Sequence, residues 1–183
     1  MTTTLSPAIA RLAAEPATAN ARRLWRAMSV EERRLALETL LASDVKNAVM
    51  RMALRAEIAK ARKFRPQVLA GWDDAKLADT AARIDLKEQA ISWDALSALH
   101  IHGRSAMLAQ FLDSLGIKHT NGVFEEEPSE PISEAKLRTA TEELLASFDE
   151  PAVVLYLLAL RASQPGFAGV DGKLKELAGA AAQ

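Results

Sequence analysis

Helix start and stop signals follow one another along this chain, and they constrain its fold more than any other feature. Ser29, with Glu32 three residues later, has the capping-box pattern of a helix start. Gly116, directly after the apolar residues of 105–115, has the pattern of a left-handed helix end. The alternating β-branched and aromatic pattern typical of strands is missing. The sequence therefore predicts an all-α protein.

The same signals divide the chain into about nine helices. We expect helical hairpins that pack as a bundle or as a short irregular α-solenoid, within a single domain spanning 1–183. The composition, 49% hydrophobic and 26% charged over 183 residues, is sufficient for one continuous core. Leu112 and Leu157 are predicted to be buried in it.

A faint internal repeat bears on the choice between bundle and solenoid. ETLLASD at 38–44, followed by MALRA at 52–56, resembles EELLASFD at 142–149, followed by LALRA at 158–162. Each copy predicts a helix, a short turn and a more apolar helix, which is the unit that helical-repeat proteins stack. Chance similarity among abundant Leu, Ala, Arg and Glu is the alternative, and both interpretations stay open.

The longest predicted helix runs from about residue 44 to 64 and ends before Pro66. Its inner apolar stripe is predicted to consist of Val49, Met52, Ala56 and Ala59. Basic residues of this region form a candidate basic surface, which consists of Lys46, Arg51, Arg55, Arg62, Lys63 and Arg65.

Charge is distributed unevenly along the chain. Residues 1–65 carry 13 basic and 6 acidic side chains, whereas the remainder carries 10 and 18. One interpretation is attraction between the two oppositely charged parts, within one fold or across a dimer. The other is a basic surface for nucleic acid.

Polar residues gather around the turn in FLDSLGIKHTNG at 111–122. Asp113, His119, Asn121 and Gly122 are the candidate partner- or ligand-binding residues, since a loop of this kind can form a small pocket. His119 as a general base oriented by Asp113 is one hypothesis. The alternative is that these groups fix the backbone of the turn. The longer segment 117–131 is predicted to be an acidic surface loop.

FLDSLGIKHTNG at 111–122 and KFRPQVLAGW at 63–72 resemble stretches of a bacterial all-helical protein family of unknown function. The resemblance covers a small part of the chain. It implies a helical fold and names no activity.

Several kinds of chemistry are not predicted. Cysteine is absent, which excludes disulfides, thiolate metal sites and a cysteine nucleophile. His100 and His102 are about 200° apart on a predicted helix and are poorly placed to share a metal. PGFAGVDGKL at 165–174 lacks a glycine and a Ser or Thr that a phosphate loop requires. We therefore predict no catalytic residue, no metal and no cofactor.

The longest apolar run, 152–160, is much shorter than the about 20 residues of a membrane-spanning helix. The first residues also lack the pattern of a secretory signal. We expect a cytoplasmic protein without membrane contact, acting as a non-enzymatic protein-interaction or regulatory module that binds a protein partner or itself. The alternatives are a nucleic-acid-binding protein that uses the basic helix 44–65, and an enzyme with a site around His119.

Overall fold

The computed structural model describes residues 5–43, 47–125 and 132–181, and this part of the chain is all-α, as predicted. It contains eleven α-helices, where the sequence predicted about nine. The helices are α1 Pro7–Ala14, α2 Ala21–Ala27, α3 Val30–Ala42, α4 Asn47–Arg62, α5 Pro66–Ala70, α6 Asp74–Ala82, α7 Gln89–Ala98, α8 Ser105–Leu115, α9 Glu134–Ser147, α10 Glu150–Ser163 and α11 Asp171–Ala180.

Shorter elements connect some of these helices. Pro16–Thr18 and Pro165–Val170 are 3₁₀ segments, and Leu99–Gly103 is a π-helical turn. Strands β1 His119–Thr120 and β2 Val123–Phe124 form an antiparallel hairpin. None of the described helices is long and apolar enough to cross a membrane.

The predicted helix boundaries with the clearest signals are confirmed. The Glu32 amide donates to Ser29 Oγ at 3.1 Å, and the Ser29 amide donates to Glu32 Oε2 at 2.9 Å, which completes the capping box. Gly116 has φ of +71°, and the Ile117 amide donates to the Leu112 carbonyl at 2.9 Å. This bond closes α8 with a left-handed glycine cap.

The chain divides into two compact units. One comprises Met1–Ala27 and Arg104–Gln183, and the other comprises Met28–Gly103. The first unit is thus built from both ends of the chain, and the second from one continuous stretch. The single domain predicted over 1–183 stays a prediction.

Helix α10 is the centre of the first unit. Every residue from Val153 to Leu160 is buried, and helices α1, α2, α9 and α11 pack against α10. Phe111 of α8 meets Tyr156 of α10 edge to face, with ring centroids 5.5 Å apart. Leu112 and Leu157 are 1% and 0% exposed, so both predicted core positions are confirmed.

Helix α3 is the centre of the second unit, where α4, α6 and α7 pack against it. The predicted inner stripe of α4 is wrong, because Val49 and Met52 are 66% and 67% exposed. The buried stripe consists of Met50, Leu54 and Ile58. Both stripes have helical spacing, so periodicity alone does not decide between them.

Candidate functional site

The predicted turn at Asn121 and Gly122 is a tight β-hairpin loop. Asn121 has φ of +52° and Gly122 has φ of +82°, and the loop joins strands β1 and β2. Two successive positive φ angles are typical of the turn that Asn-Gly favours in two-residue hairpins. Part of the segment predicted as an irregular loop is therefore a short hairpin.

The hairpin tip lies directly against α8. A Cβ atom added to Gly122 would lie 2.5 Å from Leu108 Cβ and 3.0 Å from the Ser105 carbonyl oxygen. Glycine is thus required here for two reasons, the left-handed backbone and the close approach to a helix. This contact holds the hairpin tip against the first half of α8.

His119 is held by hydrogen bonds at both ring nitrogens. Nδ1 accepts a hydrogen bond from the Gly122 amide at 3.1 Å, and Nε2 lies 3.1 Å from Asp113 Oδ1. Because an amide donates to Nδ1, the proton of the neutral ring is on Nε2, which donates to the carboxylate. The side chain of His119 is 12% exposed and that of Asp113 is 76% exposed.

This geometry places three of the four predicted site residues in one network and gives the network a structural role. A general base needs a nitrogen lone pair directed at a substrate. The Nδ1 lone pair of His119 is instead directed at the Gly122 amide within the hairpin. The cluster of Asp113, His119 and Gly122 therefore fixes the turn, and Asn121 is exposed at its tip.

The acidic loop 117–131 is described as far as Glu125. Glu125 Oε1 accepts a hydrogen bond from Thr120 Oγ1 at 3.0 Å, and the Glu125 amide donates to the Lys118 carbonyl at 3.3 Å. The rest of the acidic run, Glu126 and Glu127, lies outside the described residues.

Two residues of the predicted basic surface bind other parts of their own unit. Arg51 donates from Nε and Nη2 to the two carboxylate oxygens of Asp74, each at 2.6 Å. This bidentate pair lowers the pKa of Asp74 and raises that of Arg51. Arg55 donates from Nη2 to the Trp72 carbonyl at 3.3 Å. Both guanidinium groups therefore connect α4 to the start of α6.

The remaining basic residues extend outward at the end of α4. Arg62, Lys63 and Arg65 are exposed, as is Lys60, and the side chain of none of them has a hydrogen bond or ion pair with another described residue. Lys46 lies outside the described residues. The basic surface is thus divided into two half-buried arginines, Arg51 and Arg55, that bind residues of their own unit, and a group of exposed cations that do not.

An aromatic side chain lies within this outward group. Phe64 is 40% exposed and meets Trp72 at a centroid distance of 5.7 Å, while Lys76 Nζ lies 4.4 Å from the centre of the Trp72 ring. Lys63, just before Phe64, has φ of +56°. A non-glycine residue in this region marks a tight turn, which directs the chain from α4 into α5.

Apolar side chains also lie on the exposed side of α4. Val49, Met52, Ala56 and Lys60 recur at i, i+3, i+7 and i+11 and are all exposed, and we call this stripe the outer face of α4. Six large apolar side chains of the described residues are exposed, and four of them lie between 49 and 68. This concentration distinguishes the region from the scattered apolar residues that are normal on protein surfaces.

The internal repeat shows what sequence reasoning missed in this region. Its second helices are α4 and α10, and the alignment pairs Met52 with Leu158 and Val49 with Leu155. Leu158 and Leu155 are both 0% exposed, whereas Met52 and Val49 are 67% and 66% exposed. The sequence contains two apolar stripes on α4, one with Val49 and Met52 and one with Leu54 and Ile58. It does not show which of the two is covered by other helices.

The described residues contain no group of three or more His, Asp or Glu side chains arranged to hold a metal ion. No protein-family model, curated protein or solved structure matches this chain, so the resemblance to a bacterial helical family stays a prediction.

Proposed function

We propose that the protein is a non-enzymatic interaction module that binds an acidic, amphipathic helical segment of a partner protein on the outer face of α4. The observation that carries the proposal is the exposure of Met52, 67%, at a position where its repeat counterpart Leu158 is 0% exposed. In the first unit, neighbouring helices cover this pattern. In the second unit, a helix of the partner protein would cover the corresponding face of α4.

The charges along α4 specify the chemistry of the partner. From 47 to 65 the chain has six basic residues and one acidic residue, Glu57, which is buried. The basic side chains without a described partner are at the carboxyl-terminal end of the helix and just beyond it. A partner that carries carboxylates at one end and apolar side chains along its length matches this arrangement.

The size of the face fits a short helix. Val49 and Lys60 are eleven residues apart, which corresponds to about 16 Å along an α-helix. A partner helix of about three turns therefore spans it. Helix-in-groove recognition commonly uses apolar anchors at this kind of spacing.

A second candidate function is binding of single-stranded nucleic acid at the carboxyl-terminal end of α4. The observation that favours it is Phe64, exposed among Lys60, Arg62, Lys63 and Arg65. An exposed ring next to cations can stack on a base while the cations contact phosphates. This candidate gives no role to Val49 and Met52, which is why we rank it second.

We do not propose catalysis at His119. Its two ring nitrogens are engaged with Gly122 and Asp113, and these two hydrogen bonds explain the position of the side chain in the hairpin without a substrate.

The proposal can be tested by fluorescence anisotropy with two labelled amphipathic peptides of about three turns. Each peptide has one face of leucines. The polar face carries glutamates in the acidic peptide and lysines in the basic peptide. We expect saturable binding of the acidic peptide, weakened about tenfold or more by Met52→Glu, because a buried anchor contributes on the order of 1.4 kcal/mol or more.

Leu35→Glu is the matched control, since Leu35 is also exposed, at 46%, but lies on α3 of the same unit. It should leave peptide binding unchanged. Equal affinity for the basic peptide, or unchanged affinity of the Met52→Glu variant, would contradict the proposal.

Two further measurements distinguish the alternatives. A labelled single-stranded oligonucleotide that binds the protein, but loses affinity when Lys60, Arg62 and Lys63 are replaced by Gln, would favour the second candidate. A dimer in light scattering that Met52→Glu converts to a monomer would show that the face binds a second copy of this chain.

A further inference from the structure

A depression of about 410 Å³ lies in the first unit, between α1 and α2. Its volume is within the range of small-molecule sites, which is about 300–1,000 Å³. Ala8, Leu12 and Ala27 provide its apolar lining, and Arg11, Glu15 and Arg23 are among its polar residues. The function proposed for α4 does not use this part of the molecule.

Three arginines line the depression, Arg11 from α1 and Arg23 and Arg26 from α2, and Arg11 and Arg23 bring guanidinium groups to it from different helices. Arg11 belongs to α1, and its guanidinium has no hydrogen bond or ion pair with another described residue. Arg23 belongs to α2 and donates from Nη1 to the Thr18 carbonyl at 3.2 Å. That bond orients one edge of the Arg23 side chain and leaves its Nη2 for a ligand.

We propose that this depression binds a small organic phosphate, a phosphate monoester with a compact apolar body. Guanidinium groups recognise phosphate through paired N–H donors. Three terminal phosphate oxygens can accept from two guanidinium groups together, whereas a carboxylate offers two oxygens. The lining of Ala8, Leu12 and Ala27 accounts for the apolar body.

The lining also contains one acidic residue, Glu15, which the arginines outnumber, so the net charge of the lining still favours an anion. The Glu15 carboxylate lies among the lining residues and repels any anion. A phosphate monoester carries about −1.5 to −2 at pH 7 and gains more from the two arginines than a singly charged carboxylate does. A bare phosphate ion makes the same polar contacts but leaves the apolar lining unfilled.

Isothermal titration calorimetry of the full chain tests this proposal, with phenyl phosphate, inorganic phosphate, benzoate and phenol as probes. We expect phenyl phosphate to bind at least about tenfold more tightly than the other three. Arg11→Gln and Arg23→Gln should each weaken phenyl phosphate binding by about tenfold, which is the loss of one charge-assisted contact.

Arg34→Gln is the control, since Arg34 is an exposed arginine paired with Glu38 at 2.8 Å on α3. It should leave phenyl phosphate binding unchanged. Thermal melts of the three variants separate lost binding from lost folding. No saturable binding of phenyl phosphate, equal binding of benzoate, or equal weakening by Arg34→Gln would overturn the proposal.

Discussion

Helices α4 and α10 carry the same short sequence pattern, yet neighbouring helices bury one of them far more completely than the other. In α10 the residues from Val153 to Leu160 are all buried, because helices α1, α2, α9 and α11 pack around it. In α4 the stripe with Met50, Leu54 and Ile58 is buried, but Val49 and Met52 on the other side are exposed. An apolar helix face is thus a core surface in one unit and an open surface in the other.

The two helices also differ in their polar residues. Arg51 of α4 is aligned with Leu157 of α10, and Arg51 pairs with Asp74 at the surface while Leu157 is 0% exposed. An arginine at this position of α4, where α10 has a leucine, suits a helix that has one solvent-facing side. The same short pattern thus occurs in a helix that is buried on all sides and in one that keeps an exposed apolar face next to cationic side chains.

The largest expected effect comes from truncating the covered position. Leu158→Ala should lower the free energy of unfolding by about 2–5 kcal/mol, because it removes a fully buried side chain and leaves a cavity. The matched substitution Met52→Ala should change it by less than about 0.5 kcal/mol. Urea unfolding at neutral pH measures both, and similar losses would show that the two faces are equally covered.

A smaller effect is expected at the buried carboxylate of α4. Glu57 is 3% exposed, and its Oε2 accepts a hydrogen bond from the Lys87 amide at 2.6 Å. Glu57→Ala should cost about 1–3 kcal/mol, because the Lys87 amide loses its acceptor. Glu57→Gln keeps an acceptor oxygen and should cost less. A Gln variant as unstable as the Ala variant would show that this hydrogen bond contributes little.

The ion pair between α4 and α6 should give a dependence of stability on pH. Arg51 lowers the pKa of Asp74 in the folded state, so the pair stabilises the fold above the unfolded-state pKa of about 3.9. The stabilisation is lost as the pH falls through the lower, folded-state pKa. Asp74→Asn and Arg51→Gln should each flatten this acid-induced loss, measured by urea unfolding between neutral pH and acid.

The double variant is the control for that pair. If Arg51 and Asp74 act on each other, the combined substitution should change the acid dependence no more than either substitution alone. Additive changes would attribute the pH dependence of the two residues to other partners.

Local signals in the sequence predicted much of the fold correctly. The capping box at Ser29 and the glycine stop at Gly116 depend on interactions within a few residues, so both could be predicted without tertiary information. The Asn-Gly turn is of the same kind, because residues with positive φ angles are needed wherever a two-residue hairpin forms.

The buried face of α4 could not be predicted in the same way. Both of its apolar stripes have helical spacing, and the choice between them depends on tertiary contacts with α3 and α6, which local sequence patterns do not specify. For the same reason, the sequence grouped Arg51 and Arg55 with the outward basic residues. Their partners, Asp74 and the Trp72 carbonyl, are about twenty residues away along the chain.

The candidate site at His119 could also be predicted only in part from the sequence. The sequence placed Asp113, His119 and Gly122 together, and the structure connects them by hydrogen bonds. What the sequence left open was the direction of each hydrogen bond. The amide that donates to Nδ1 is a feature of the folded hairpin, and it is the observation that favours a structural role.

The central claim is that the outer face of α4 is open in the free protein and covered by an acidic helical partner. The chain has no cysteine, so single-cysteine variants report on one position each. We predict that the thiol of Met52→Cys reacts rapidly with a maleimide and that saturating acidic peptide slows the reaction, while the thiol of Leu35→Cys is unaffected by the peptide. A Met52→Cys thiol that reacts at the same rate with and without the peptide would contradict the account.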